Sequence, residues 1–139
     1  MSEGEVEIIG DAADVYFAKD VIKAIGRGFE EREALKIFSE GYQFFLINLK
    51  EYFPNEKAIA RVKGRVIGEK GKMKTEIESA TESYISVYGN TIGVISKIDS
   101  IEYAKEAIEM LLRGVQHSSV YNYLAKIRRQ LLGERLTGK

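Results

Sequence analysis

Gly68 and Gly71 stand three residues apart in Ile67-Gly68-Glu69-Lys70-Gly71-Lys72, and this loop constrains the chain more than any other stretch. Glycine has no Cβ, so the backbone can turn where another residue would clash. Upstream, the spacing predicts a helix from about Asn55 to Ile67, with the only proline, Pro54, placed where a helix can begin. Downstream, Met73, Ile77 and Ala80 recur at helical spacing. Tyr84-Ile85-Ser86-Val87-Tyr88 then alternates as a strand and ends at Gly89-Asn90. The order is helix, glycine loop, helix, strand. Such a loop can expose backbone N–H groups at the start of the second helix, where the helix dipole also favours phosphate.

Charge gathers on the same stretch. The chain of 139 residues holds 21 basic and 21 acidic side chains, a balance that, taken whole, argues against a nucleic-acid partner. Between Lys57 and Lys74, however, Lys57, Arg61, Lys63, Arg65, Lys70, Lys72 and Lys74 face one acid, Glu69, a local charge of +6. The remainder carries −6. Phosphate binding draws on a local patch, because each neutralised phosphate releases counterions.

The length suits one ordinary domain or two very small ones, and 45% hydrophobic residues suffice for a core. Without cysteine there is no disulfide framework, thiol nucleophile or thiolate zinc site. No run reaches the roughly 18 apolar residues that span a bilayer. The start, Met1-Ser2-Glu3-Gly4-Glu5, lacks the apolar centre of a signal peptide. The expectation is a soluble cytoplasmic protein with no membrane partner.

Read in order, Val6-Glu7-Ile8-Ile9 is expected as a strand closed by Gly10-Asp11. Asp11 or Asp14 would cap a helix with Val15, Ala18, Val21, Ile22 and Ile25 on one face, stopped at Gly26-Arg27-Gly28. A short helix from Glu30 to Phe38 ends at Gly41, and Tyr42 to Leu49 reads as a strand. After Gly89-Asn90 the order returns: a strand at Thr91–Ile95, then Asp99 as a cap with Glu102 as its capping-box partner. Ala104, Ala107, Ile108 and Leu111 form that helix's apolar face, and Gly114 ends it. Ser118 is expected to cap a final helix through Leu132, stopped by Gly133. At an offset of 86 residues Phe17–Ile22 falls on Tyr103–Ile108, and Arg27-Gly28 on Arg113-Gly114. A repeat this long points to two related units. The first has no lead strand or loop, so the chain is expected to begin partway through it.

The second unit resembles a KH domain of the first type, an α+β fold of a three-stranded antiparallel sheet with three helices. Its G-x-x-G loop clamps about four nucleotides of backbone. Gly64-Arg65-Val66-Ile67-Gly68-Glu69-Lys70-Gly71-Lys72, Thr75-Glu76-Ile77-Glu78, Tyr103–Ile108 and Ser119-Val120-Tyr121 narrow the match. From Arg61 through Leu132 the chain is similar to the C-terminal KH domain of the partner-of-Nob-one (Dim-two) family, of archaeal type. Residues 5–38 look like the end of that family's first KH domain. The resemblance thus implies a C-terminal portion of a first KH-like domain over 1–40, and a complete KH domain with a C-terminal helix over 41–139. It also implies a non-catalytic small-subunit assembly factor. Such a factor binds single-stranded RNA near the 3′ end of small-subunit rRNA, beside the endonuclease that trims it or other pre-ribosomal proteins. Lys74 stands where many KH domains carry isoleucine; this family tends to lysine there, which leaves the groove floor less apolar.

On this basis the N–H groups of Glu69 to Lys72 would hold one or two phosphates, shaped by Gly68 and Gly71. Arg65, Lys70 and Lys72 would add charge, with Arg61, Lys63 and Lys74 as a second tier. Bases would lie between the two helices and the strand Tyr84–Tyr88, against Ile67, Ile77, Ile85 and Val87, and be read on their Watson–Crick edges. Lys126, Arg128 and Arg129 of the last helix would extend the RNA path or meet a protein. His117, beside Ser118 and Ser119, has no placed acid to make it a catalytic base. Glu76, Glu78 and Glu82 show no arrangement for metal ligation or acid–base work, so no enzyme activity, metal or cofactor is expected. Two other readings stay open: a protein-interaction module with a vestigial loop, and a KH domain of another RNA-processing complex.

Overall fold

Three segments alternate apolar side chains with period two and pair into one antiparallel sheet. The computed structural model describes residues 12–137, with side chains from residue 15 onward. The expected strand Val6–Ile9, Asp11 and the side chain of Asp14 lie outside the described residues.

Strands β1 (Tyr42–Asn48), β2 (Ser83–Tyr88) and β3 (Thr91–Lys97) lie in the order β1-β3-β2. The register runs from Tyr42 opposite Lys97 to Asn48 opposite Thr91, and from Ser83 opposite Ser96 to Tyr88 opposite Thr91. Phe45, Ile47, Ile85, Val87, Ile92 and Val94 therefore share one face, and Tyr42, Phe44, Tyr84 and Ile95 the other.

Helices α3 (Glu56–Ile67), α4 (Lys72–Thr81) and α5 (Ile101–Leu112) cover the first face. Val66, Met73, Ile77, Ile108 and Leu111 are fully buried between these helices and the sheet. A fourth helix, α6 (His117–Leu136), lies along α4, with Val120 and Leu124 in the same core. Arg128 donates to Glu76 and to the Ser79 hydroxyl, and Arg135 pairs with Glu82, so the two helices run in the same direction. Strand, helix, helix, strand, strand, helix over β1 to α5 is the expected type I KH arrangement.

The second face is covered by α1 (Ala12–Gly26) and by α2 (Glu31–Ala34), which continues as a 3-10 turn, Leu35–Phe38. Val21, Ala24, Phe29, Ala34 and Ile37 pack there with Ile95, Tyr42, Phe44 and Tyr84. Phe29 settles over Gly93 of the central strand, where a Cβ would stand only 2.7 Å from the ring. Polar bonds join this layer to the β2–β3 hairpin. Arg27 Nε donates to Thr91 Oγ1 at 3.0 Å, and the Ser86 hydroxyl donates to the Arg27 carbonyl at 2.8 Å.

Three local expectations are corrected. On α1 the stripe against the sheet is Phe17, Val21 and Ala24, while Ile22 and Ile25 remain 38% and 39% exposed. A helix laid on a flat sheet buries a narrow stripe, and Ile22 and Ile25 on its flank line an open apolar groove with Leu35 and Phe38. Asp99 does not cap α5. Ser100 holds the N-cap position without a side-chain cap bond, its hydroxyl paired with that of Ser96 at 2.9 Å, and Glu102 pairs with Lys105 instead. Helix α6 starts at His117 after Gln116, so Ser118 lies inside its first turn, and it continues through Gly133 to Leu136. Burial of Leu131 and the Arg135–Glu82 pair hold the extra turn.

Candidate nucleic-acid interface

The site begins with α3. Asn55 caps it, its side-chain oxygen accepting from the Ala58 N–H at 2.9 Å. Ile59, Val62 and Val66 are buried, which turns Arg61 and Gly64 outward and leaves Lys63 half-buried. The helix closes with the Gly68 N–H on the Gly64 carbonyl, 2.8 Å away. Gly68 then takes φ 76° and ψ 173°, a conformation essentially confined to glycine. Lys70 (φ 54°) and Gly71 (φ 75°) follow in the left-handed region, and α4 starts at Lys72 with no side-chain cap.

The Gly71 N–H donates to the Gly68 carbonyl at 3.1 Å, and that of Lys72 to the Glu69 carbonyl. Two of the four N–H groups expected to face phosphate are thus used by the loop's own turns, which leaves those of Glu69 and Lys70. The side chains of Glu69, Lys70 and Lys72 are exposed. Lys72 Nζ lies 5.4 Å from the centre of the Tyr121 ring on α6. Arg61 is exposed on α3, and Lys74 is paired with Glu78 at 3.4 Å.

Arg65 departs from expectation. Its guanidinium donates to the Val115 carbonyl at the α5–α6 junction, and its Nε is buried without a partner. It ties α3 to that junction instead of facing outward beside Lys70. Of the four apolar groove residues, Ile67 and Val87 are half-buried and keep free surface, but Ile77 and Ile85 are core residues with almost none. They support the groove without lining it. Ile67 closes α3, Lys70 and Lys72 stand on the loop and the start of α4, Lys74 follows within the first turn of α4, and Val87 lies on β2. Lys126, Arg128 and Arg129 are exposed further along α6, with Arg128 engaged by Glu76.

Two neighbours of the site carry the family resemblance in the sequence but are not among the expected site residues. Tyr121 lies 49 residues beyond Lys72, and His117 meets its ring edge-on at 6.4 Å. Glu78 is the other: its carboxylate accepts from the Ile85 N–H on β2. Among the described residues no group of three or more His, Asp or Glu is placed to hold a metal, and no helix is long and apolar enough to cross a membrane.

The glycine geometry gives a first prediction. A Cβ at Gly68 would stand 2.7 Å from Met73 Cβ and 2.8 Å from the Met73 nitrogen, both fixed by α4, whereas a Cβ at Gly71 meets nothing within 4 Å. Gly68→Ala should therefore destabilise by about 2–3 kcal/mol, and Gly71→Ala by only the ~1 kcal/mol of left-handed strain. Urea denaturation of the pair tests the difference; equal losses would contradict it.

The model of the second KH domain of PNO1, described as a eukaryotic-type KH domain (KH-domain type I), matches residues 43–129. The chain belongs to the PNO1 family of KH-domain proteins. It is 41% identical to a KH domain-containing protein of Methanocaldococcus jannaschii over 135 residues, covering 94% of this chain and 60% of that protein. It is 32% identical to the pre-rRNA-processing protein PNO1 of Chaetomium thermophilum, covering 76% of this chain and 42% of that one. Among solved structures, a complex of a/eIF2alpha, aDim2p and rRNA from Pyrococcus horikoshii matches with a TM-score of 0.80 and 39% identity, over 90% of this chain and 68% of that one. The chain thus spans 60% or less of the length of these two relatives.

Proposed function

We propose that the chain is a non-catalytic small-subunit assembly factor. It binds single-stranded RNA near the 3′ end of small-subunit rRNA through the Gly68–Gly71 loop. The observation that carries this reading is the loop itself. It is turned by three positive-φ residues between two helices, sits within a segment of net charge +6, and presents Lys70 and Lys72 to solvent. Family membership adds support, as do the rRNA in the Pyrococcus horikoshii complex and the name of the Chaetomium thermophilum protein. Lys70, Lys72 and the loop N–H groups hold phosphate; Arg61, Lys63 and Lys74 extend the charge; bases lie against Ile67 and Val87. Residues 1–40 are the last part of a first KH-like unit, of which α1 and α2 pack on the sheet of the second. The endonuclease that trims the same RNA end is the expected protein neighbour, and this element rests on the family resemblance alone.

The test is a titration of labelled RNA carrying the small-subunit 3′ end against a scrambled strand of equal length. Single-stranded binding weakens with salt at a slope of about −0.7 per neutralised phosphate. For one or two phosphates, affinity should fall roughly three- to sevenfold between 50 and 200 mM salt. Binding that ignores sequence would reduce the reading to a general clamp. No binding by the folded chain would favour the protein-interaction reading.

A further inference from the structure

Helix α4 has two flanks. Glu78 accepts from the Ile85 N–H, so the flank that carries Lys74 and Glu78 faces β2. Lys72 and Glu76 stand one turn apart on the other flank, where Glu76 pairs with Arg128 of α6. On that second flank Lys72 Nζ lies 5.4 Å from the centre of the Tyr121 ring. Side chains on a helix lean toward its N-terminus, and α4 and α6 run in the same direction, so the ring lies at the loop end of the pair. Tyr121 packs against the core yet is only half-buried. His117 meets the ring edge-on, with the two planes at 84°, and leaves a face to Lys72. Lys72 is exposed, and its ammonium rides on a flexible four-carbon stem. One face of the ring is therefore held by a cation that can leave it.

We propose that Tyr121 is a stacking platform for one RNA base beyond those in the groove, on the opposite flank of α4. This rests on the RNA-binding reading above. A G-x-x-G loop clamps about four nucleotides, and the bases so held lie against Ile67 and Val87, both of which keep free surface. A nucleotide that leaves the loop on the Lys72 side is led toward α6. Its phosphate draws the Lys72 ammonium off the ring, because a charge-assisted hydrogen bond to phosphate outweighs a cation–π contact at an exposed site. The base then takes the vacated face. Stacking of this kind reads no hydrogen-bonding edge, since every base has a π-face. The contact adds affinity, on the order of tenfold for one base, without adding sequence preference. Lys72 thus serves two states: it shields the ring in the free protein and neutralises phosphate in the bound one.

The experiment places single abasic ribose residues, one at a time, along a labelled RNA of the small-subunit 3′ end. Each strand is titrated into the full chain, Tyr121→Phe and Tyr121→Leu, with thermal unfolding of all three proteins. Removing a base without its phosphate separates stacking from charge. In the unaltered chain and in Tyr121→Phe, one position just outside the groove run should lose about tenfold in affinity. Tyr121→Leu keeps an apolar side chain against the core but has no π-face. The same abasic site should cost it about twofold or less, while the groove positions cost what they did before. If Tyr121→Leu fails to fold, photo-cross-linking of the unaltered chain to RNA carrying thiouridine at either end of the groove run tests the contact. Attachment at Tyr121 is expected, and attachment confined to α3, α4 and β2 overturns the proposal. So does an abasic profile that is unchanged in folded Tyr121→Leu, or a uniform loss at every position, which would mark a structural role only. Failure of the folded, unaltered chain to bind any strand would overturn the RNA reading as well, whereas a footprint confined to the groove overturns the platform alone.

Discussion

Replacing Glu69 and Lys70 together by Asp is expected to lower RNA affinity about 100-fold or more while the fold stands. At position 70 the change exchanges a cation for an anion at the loop tip. It removes a charge-assisted hydrogen bond to phosphate, about 1.5–3 kcal/mol. It also adds repulsion of about 1 kcal/mol at contact distance in a water-like dielectric. Together these come to about 2.5–4 kcal/mol, against the ~2.7 kcal/mol that corresponds to 100-fold. Stability should hardly move, because both side chains are exposed and such surface changes usually stay within about 0.5 kcal/mol. Lys70 already sits at φ 54°, a region that Asp tolerates better than most residues. Fluorescence anisotropy with the 3′-end RNA, paired with thermal unfolding, checks both halves. Unchanged affinity in a folded variant would remove the phosphate clamp from the account.

Phe29→Ala is expected to cost about 3–5 kcal/mol, the usual range for deleting a fully packed aromatic ring. Phe29 is 4% exposed, meets the Phe44 ring edge-on at 6.0 Å, and fills the space left by Gly93. Its removal opens a cavity between α1 and the sheet at the point where the two covering layers share β3. Urea denaturation of both proteins measures the loss. A cost below about 1 kcal/mol would mean that the α1–α2 layer contributes little and that residues 41–139 stand without it.

These expectations show where sequence reading succeeds. The glycine loop, the helices around it and the three strands were readable because their signals are local: period 3.6, period 2, and residues that permit positive φ. What escaped depends on elements brought together from far apart. Arg65 sits in a basic run, so its charge pointed outward, but the α5–α6 junction places a carbonyl within its reach. Ile77 and Ile85 were assigned to the groove because helix and strand periodicity cannot distinguish a floor from the core beneath it. Glu78 looked like one more helix acid until the β2–β3 pairing put an unspent N–H opposite it. Ile22 and Ile25 satisfy the helical period as well as Val21 and Ala24 do, and only the plane of the sheet decides between them.

The strand order also has a consequence for the chain while it is being made. Among the described residues β3 is the only hydrogen-bonded neighbour of both β1 and β2, and it is the last of the three to be synthesised. At about 5–20 residues per second, β1 waits roughly 2–10 seconds from completion until Lys97 is added. During that interval α1 and α2 have been translated but have no finished sheet to cover, so Phe29 and Phe44 stay accessible to holding chaperones. The layer made first is the one that must dock late.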